Sequence, residues 1–175
     1  MATLAAGDRI TLRLPGESTL PERLEIDQRG VVTLPRVGPL TVTALDPAQL
    51  ADSIRTLYSK LFVNRDVTVI LLRRITVFGE VNKPGVLYLE TSASIRDAIA
   101  TAQGATPLAE VNHVNLIRGT VSERLENWST LSAETKPLYS GDAIMMDRES
   151  WLRRNVGAIF GGLGILVSVV IALRR

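Results

Sequence analysis

The chain has 175 residues, 46% hydrophobic and 22% charged, with a formal net charge of +2 and a pI near 9.3. Such a composition supports one or two small apolar cores and excludes a disordered chain. The basic residues are dispersed and aromatic residues are few, so we expect no nucleic-acid partner, and the lack of cysteine excludes disulfides and thiolate metal sites.

The chain starts with MATLAAGDRI, which lacks the charged start, apolar run and cleavage site of a signal peptide. This stretch leads directly into a strand-like pattern, so we expect that a natural signal or anchor has been removed from the sequence. The alternative is a protein that stays inside the cell.

Residues 8–17 alternate apolar and polar side chains up to a Pro-Gly pair, as in a half-buried strand that ends at a turn. A second strand pattern, 24–42, is interrupted at Gly30, Pro35 and Gly38. Short strands divided in this way predict a small β-rich unit.

An amphipathic helix is predicted at 46–62, with Asp46 as the N-cap and Pro47 at the first helical position. Its predicted inner face consists of Leu50, Ile54, Leu57, Tyr58 and Leu61. The β-branched run 65–74 then predicts a buried strand that closes a first domain, 1–74.

A second domain, 75–150, begins with a predicted β-hairpin over 74–90 that has a long turn. A helix follows, with Ser92 or Ser94 as the N-cap and Gly104 as the stop signal. The predicted inner face of this helix consists of Ile95, Ala98, Ile99 and Ala102.

Two more strands are predicted at 111–119 and 141–147. The polar stretch 120–137 between them either contacts a neighbouring protomer or forms an exposed loop. A hairpin, one helix and further strands describe a β-grasp-like arrangement. The predicted fold class is therefore α+β: a small β-rich domain with one helix, then a β-grasp-like domain.

The pattern L-x-x-G-D-x-I occurs twice, at 4–10 and at 138–144. Gly permits a turn with positive φ, and Asp bonds neighbouring backbone amides before a strand starts. We interpret both copies as strand-initiating turns. The alternative is a ligand or metal role for Asp8 or Asp142.

Catalysis has little support in the sequence. His113 is the only histidine, which excludes a histidine-rich metal site, and Glu80 and Asp97 belong to no recognisable acid–base pair. We expect neither enzyme activity nor a cofactor.

The C-terminal segment 151–175 predicts a membrane-spanning helix. The 18 residues of 156–173 carry no charge and would form about 27 Å of helix, close to the hydrocarbon thickness of a bilayer. Residues suited to the membrane interface flank them: Trp151, Arg153, Arg154, Arg174 and Arg175. Arginine on both sides leaves the orientation open.

One face of this predicted helix carries small residues, at Gly157, Gly161, Gly164, Ser168 and Ala172. Such a face allows helices to approach closely, as in a self-associating bundle or a barrel whose pore it lines. The alternative is a single helix that only anchors the protein.

The runs GDRITLRLPGE and IDQRGVVTLPRVGPLTV resemble the polysaccharide export domain of Wza-type proteins, with Gly7, Asp8, Gly30, Pro35 and Gly38 matching its motif. The run ITVFGEVNKPGVLYLETSASIRDAIATAQGAT resembles the soluble-ligand-binding β-grasp (SLBB) domain that follows it in that family. The matching residues there are Gly79, Val81, Pro84 and Gly85. The two resemblances cover about 1–150.

The resemblance implies a closed, octamer-like homo-oligomeric ring that passes capsular or exopolysaccharide across the bacterial envelope. It implies an outer-membrane protein with periplasmic domains, although the inner membrane is also open, and an inner-membrane polysaccharide co-polymerase as a further partner. The chain departs from the familiar pattern in having one obvious β-grasp domain and no acylated cysteine. The alternative function is a membrane-anchored saccharide-binding or scaffold module that does not itself form the pore.

Overall fold

The structure, a computed structural model, describes residues 3–13, 23–43, 45–62 and 67–150. Its elements are β1 (Arg9–Arg13), β2 (Arg23–Glu25), β3 (Val31–Leu34), β4 (Gly38–Thr41), α1 (Pro47–Leu61), β5 (Thr68–Gly79), β6 (Gly85–Glu90), α2 (Ile95–Thr101), β7 (His113–Arg118), β8 (Val121–Glu126) and β9 (Ala143–Met146). A short 3₁₀ turn occupies Trp128–Thr130. The predicted mixed α+β class is confirmed.

The strand β5 runs through both halves of the molecule. Its first half pairs with β1, and its second half pairs with β6 on one edge and β9 on the other. In the described residues these strands form one seven-stranded sheet, ordered β2-β1-β5-β9-β7-β8, with β6 also paired to β5. The sequence pattern predicts two separate strands here, and the structure has one. They form one strand because β1 pairs with residues 68–72 while β6 and β9 pair with residues 72–79, so the ladder has no gap.

Two apolar clusters pack on the same face of this sheet. The first joins Val69 and Leu71 to α1, and the second joins Ile75 and Val77 to α2. These four residues alternate with outward-facing ones along β5, so they point to one side. Both helices therefore cover one face of the sheet, and no helix of the described residues covers the opposite face.

The helix α1 begins as predicted, because Asp46 accepts a hydrogen bond from the backbone N–H of Gln49 at 2.9 Å and Pro47 occupies the first turn. Three of its predicted inner residues are fully buried, and Leu57 packs at the edge of the core. The prediction for Leu61 is wrong, since its side chain is 50% exposed. Leu61 ends the helix, and Phe62 packs against the first core instead, stacked on the Tyr58 ring.

The helix α2 is capped by Ser94, whose hydroxyl accepts from the N–H of Asp97 while the Asp97 carboxylate accepts from the N–H of Ser94. All four predicted inner residues are buried. Gly104 follows the helix with φ +79°, and its N–H bonds the carbonyl of Ile99.

The polar stretch 120–137 contains a strand, β8, and the 3₁₀ turn. The prediction of a loop there is wrong for residues 121–126, which pair with β7 along its whole length. The strand escaped detection because it lies at the edge of the sheet and Leu125 is its one buried residue.

The predicted membrane helix 151–175, with its small-residue face and flanking interface residues, lies outside the described residues. Within 3–13, 23–43, 45–62 and 67–150, no helix is long and apolar enough to cross a membrane.

Candidate functional site at the junction of the two halves

The turn at Gly7 and Asp8 anchors β1 to the middle of β5. Asp8 is fully buried, and its carboxylate accepts hydrogen bonds from the backbone N–H of Ala5 at 2.8 Å and of Arg74 at 2.7 Å. The hydroxyl of Ser140 donates a third hydrogen bond to the same carboxylate. Gly7 has φ +86°, a left-handed conformation that side chains disfavour.

The second copy of the pattern forms an equivalent turn. Asp142 is 1% exposed and accepts from the N–H of Tyr139 at 2.8 Å, as Asp8 does from Ala5. Its two carboxylate oxygens also accept from the Arg118 guanidinium, at 2.8 and 2.7 Å. The side-chain hydrogen bond to Asp142 raises the pKa of Arg118.

The two turns meet on the same edge of β5. Asp8 accepts from the Arg74 N–H, while the Gly141 N–H donates to the Arg74 carbonyl at 2.9 Å. Both carboxylates are committed to backbone and side-chain donors, which suits a structural role in the strand-initiating turns. In the described residues no group of three His, Cys, Asp or Glu side chains could hold a metal ion.

Arg73 connects the second apolar cluster to the region where the two Gly-Asp turns meet. It is 5% exposed, and its Nη1 donates to the carbonyl of Leu138 at 2.6 Å and to that of Thr91 at 3.2 Å. Burial lowers the pKa of Arg73, opposed by the nearby Asp8 and Asp142. No sequence signal indicates that Arg73 and Ser140 belong to this junction, because only the tertiary fold brings them to the turns.

The motif residues of the first half shape the β3–β4 hairpin. A Cβ on Gly30 would lie 2.1 Å from the Thr43 side chain, and Gly30 and Gly38 both have positive φ. The carbonyl of Pro35 accepts a hydrogen bond from the buried Tyr58 hydroxyl at 2.8 Å. These residues fix the hairpin against α1.

The motif residues of the second half dock the β5–β6 loop on the end of α2. A Cβ on Gly79 would lie 2.1 Å from the carbonyl oxygen of Met146, and Val81 forms a β-bridge with Ala105. Pro84 and Gly85 are exposed in this loop. The side-chain amide of Asn82 donates to three carbonyls of the loop that follows α2, those of Gln103, Gly104 and Ala105.

The remaining chemical candidates are also structural. His113 is 4% exposed, with its Nε2 3.1 Å from the Asp147 carboxylate. Glu80 accepts from the Thr106 hydroxyl at 2.6 Å, and Asp97 belongs to the cap of α2. The structure brings none of these side chains together as an acid–base pair.

A groove of about 540 Å³ lies beside the first half of β5, next to Ala48 of α1. The strand β6 ends at Glu90, opposite Leu72. The N–H groups of Arg74 and Thr76 point to the edge of β5 along which β1 and β9 lie. Because successive N–H groups of a strand point to opposite edges, those of Val69 and Leu71 point to the other edge, towards this groove. No described strand pairs with them there.

Comparison with known proteins identifies the families that the two halves of the chain match. Residues 2–72 match the family described as polysaccharide biosynthesis/export protein, and residues 73–146 match the SLBB domain. The chain is 31% identical over 109 residues to the polysialic acid transport protein KpsD of Escherichia coli, covering 59% of this chain and 20% of KpsD.

The chain is also 26% identical over 149 residues to the capsule polysaccharide export outer membrane protein CtrA of Neisseria meningitidis serogroup A. That alignment covers 82% of this chain and 38% of CtrA, so the chain spans well under half of these relatives. Because both domains match in consecutive order, the chain belongs to the Wza-type polysaccharide export family, with an export domain followed by an SLBB domain.

Proposed function

We propose that the chain takes part in the export of capsular or exopolysaccharide across the bacterial envelope, as a subunit of a ring-shaped homo-oligomeric channel. The observation that carries the proposal is the export domain and the SLBB domain joined on one strand, in a chain similar to KpsD and CtrA. The polymer passes with no bond made or broken, so the proposal assigns no catalytic residue and no cofactor.

The strand edge at Val69 and Leu71, with which no strand of the described residues pairs, supports self-association. An open edge is a template for a strand of another chain. We assign this edge to a second copy, because a contact between two different surfaces of identical chains generates a ring when the rotation closes.

The proposed location is the outer membrane, with residues 3–150 in the periplasm and an inner-membrane co-polymerase as a further partner. The uncharged 156–173 and the arginines on either side of it support a membrane-spanning helix. Its small-residue face would pack against the same face of neighbouring copies.

The test is single-particle imaging of the chain purified in mild detergent. Closed rings with clustered C-terminal helices are expected, and monomers or small open assemblies would instead favour an anchored module. Substituting Gly161→Leu and Gly164→Leu should break the clustering of the helices while membrane association remains. Unchanged clustering in this variant would contradict packing through the small-residue face.

A further inference from the structure

The face of the sheet opposite the helices is rich in arginine. The register places the outward residues of β1 and β6 opposite the even-numbered residues of β5, and those of β2 opposite the outward residues of β1. The charged residues on this part of the face are Arg9, Arg13, Arg23, Arg74, Glu25 and Glu90. Arginines therefore outnumber carboxylates here.

Arg9 reaches across the sheet to Tyr88. Leu72 pairs with Arg9 on one edge and with Glu90 on the other, so β1 and β6 flank β5 on opposite sides. The guanidinium carbon of Arg9 nevertheless lies 3.6 Å from the centroid of the Tyr88 ring. The side chain thus crosses β5, and cation–π attraction holds its guanidinium over the ring.

Arg74 is the register partner of Tyr88 and is exposed. A Cβ on Gly7 would lie 3.3 Å from the Arg74 Nε, so the glycine leaves room for this side chain to lie along the turn. Within the described ranges the Arg74 guanidinium makes no hydrogen bond or ion pair, and it is therefore available to a ligand.

The carboxylates near Arg9 and Arg74 bind these two side chains weakly or not at all. Glu25 lies 3.6 Å from Arg9 Nη2 and its side chain is 58% exposed, so water screens the pair. Glu90, opposite Leu72, forms no ion pair with Arg9 or Arg74 in the described structure. An incoming anion can therefore compete for both guanidinium groups.

We propose that Arg9, Arg74 and Tyr88, the arginine–tyrosine group, bind the carboxylates of an acidic polysaccharide, an inference that rests on the proposed export function. A guanidinium presents parallel N–H donors that match the two oxygens of a carboxylate. A polymer of acidic sugars offers such carboxylates at regular intervals. The partly exposed Leu72 beside the group supplies an apolar contact for the C–H faces of the sugar rings.

The test uses the full chain in detergent and two matched probes, a hexamer of galacturonic acid and the same hexamer with its carboxylates methyl-esterified. Calorimetry should detect binding of the acidic hexamer, weakened by added salt, and at least tenfold weaker binding of the ester. Arg74→Gln should weaken binding of the acid about tenfold, as expected for one lost charge-assisted contact. Arg9→Gln should do the same.

The control is Arg55→Gln, because Arg55 is exposed on α1, on the other face of the sheet, and pairs with Asp52. It should bind the acidic hexamer like the unsubstituted chain, and circular dichroism should show that all variants are folded. The proposal is overturned if the unsubstituted chain binds neither hexamer or both equally, or if Arg9→Gln and Arg74→Gln leave the affinity unchanged.

Surface polysaccharide in a host strain lacking the gene separates this inference from the proposed function. If the unsubstituted chain restores export yet binds no acidic hexamer, the proposed function stands and the inference fails. If it does not restore export, the proposed function fails; selective binding of the acidic hexamer would then still show the carboxylate specificity of the arginine–tyrosine group, and its absence would overturn the inference as well. Restored export together with selective binding of the acid supports both.

Discussion

At the residue scale, Asp8 carries the contact between the two halves. The carboxylate of Asp8 accepts from Ala5, Arg74 and Ser140, and an amide in its place would turn an NH₂ group towards one of these donors. We expect Asp8→Asn to lower the free energy of unfolding by about 2 kcal/mol, the cost of leaving buried donors unsatisfied. Urea unfolding measures this, with the exposed Asp52→Asn as control. If Asp8→Asn lowers the free energy of unfolding no more than Asp52→Asn does, the hydrogen bonds of Asp8 do not stabilise the contact between the two halves.

Two glycines with positive φ offer a second residue-scale test. Gly79→Ala places a Cβ against the Met146 carbonyl, whereas Gly38→Ala at φ +103° meets nothing within 4 Å. We expect Gly38→Ala to cost about 1 kcal/mol from the backbone alone, and Gly79→Ala at least about 2 kcal/mol more because the strands must separate. Thermal unfolding of both variants measures the difference. Equal losses would show that the approach of β5 to β9 tolerates a side chain.

At the scale of the element, the cap of α2 depends on the charge of Asp97. The Ser94 hydroxyl and then the Ser94 N–H lower the pKa of this carboxyl below 3.8. The folded state therefore binds the proton more weakly than the unfolded state, and the stabilisation is present above about pH 4 and lost as the pH falls through the folded pKa. We expect Asp97→Asn to be about 0.5–1 kcal/mol less stable at pH 6.

The gap between Asp97→Asn and the unsubstituted chain should narrow as the pH falls from 4 towards 2, since both then carry an uncharged side chain at this position. Urea unfolding at several pH values measures it. A gap that stays constant with pH would show that the Asp97 charge contributes nothing to the cap.

At the scale of the whole molecule, β5 pairs with strands of both domains, and its edge at Val69 and Leu71, which no described strand covers, is the proposed contact between subunits. We expect Ala48→Arg, which places a long charged side chain in the groove beside Val69 and Leu71, to reduce the size of the oligomer. Thr56→Arg, on an exposed position of α1 outside the groove, is the matched control. Native mass spectrometry in detergent measures the subunit number. If both variants assemble like the unsubstituted chain, the edge of β5 at Val69 and Leu71 is not the contact between subunits.

Local sequence signals are enough to predict where both helices begin. Asp46 and Pro47 start α1 and Ser94 starts α2 because caps act within one helical turn. The order of the glycine and proline motifs also identified the family, and Gly7 and Asp8 indicated a strand-initiating turn, since an Asx-type turn bonds amides a few residues away.

How these elements join depends on contacts between residues that are far apart in the sequence. Ser140 reaches Asp8 across 132 positions, and Arg9 reaches Tyr88 across β5, contacts for which local periodicity carries no signal. The edge strand β8 was hidden because solvent covers most of its side chains. The continuity of β5 likewise depends on partners from both halves, because pairing with distant strands, and not local propensity, sets where a strand ends.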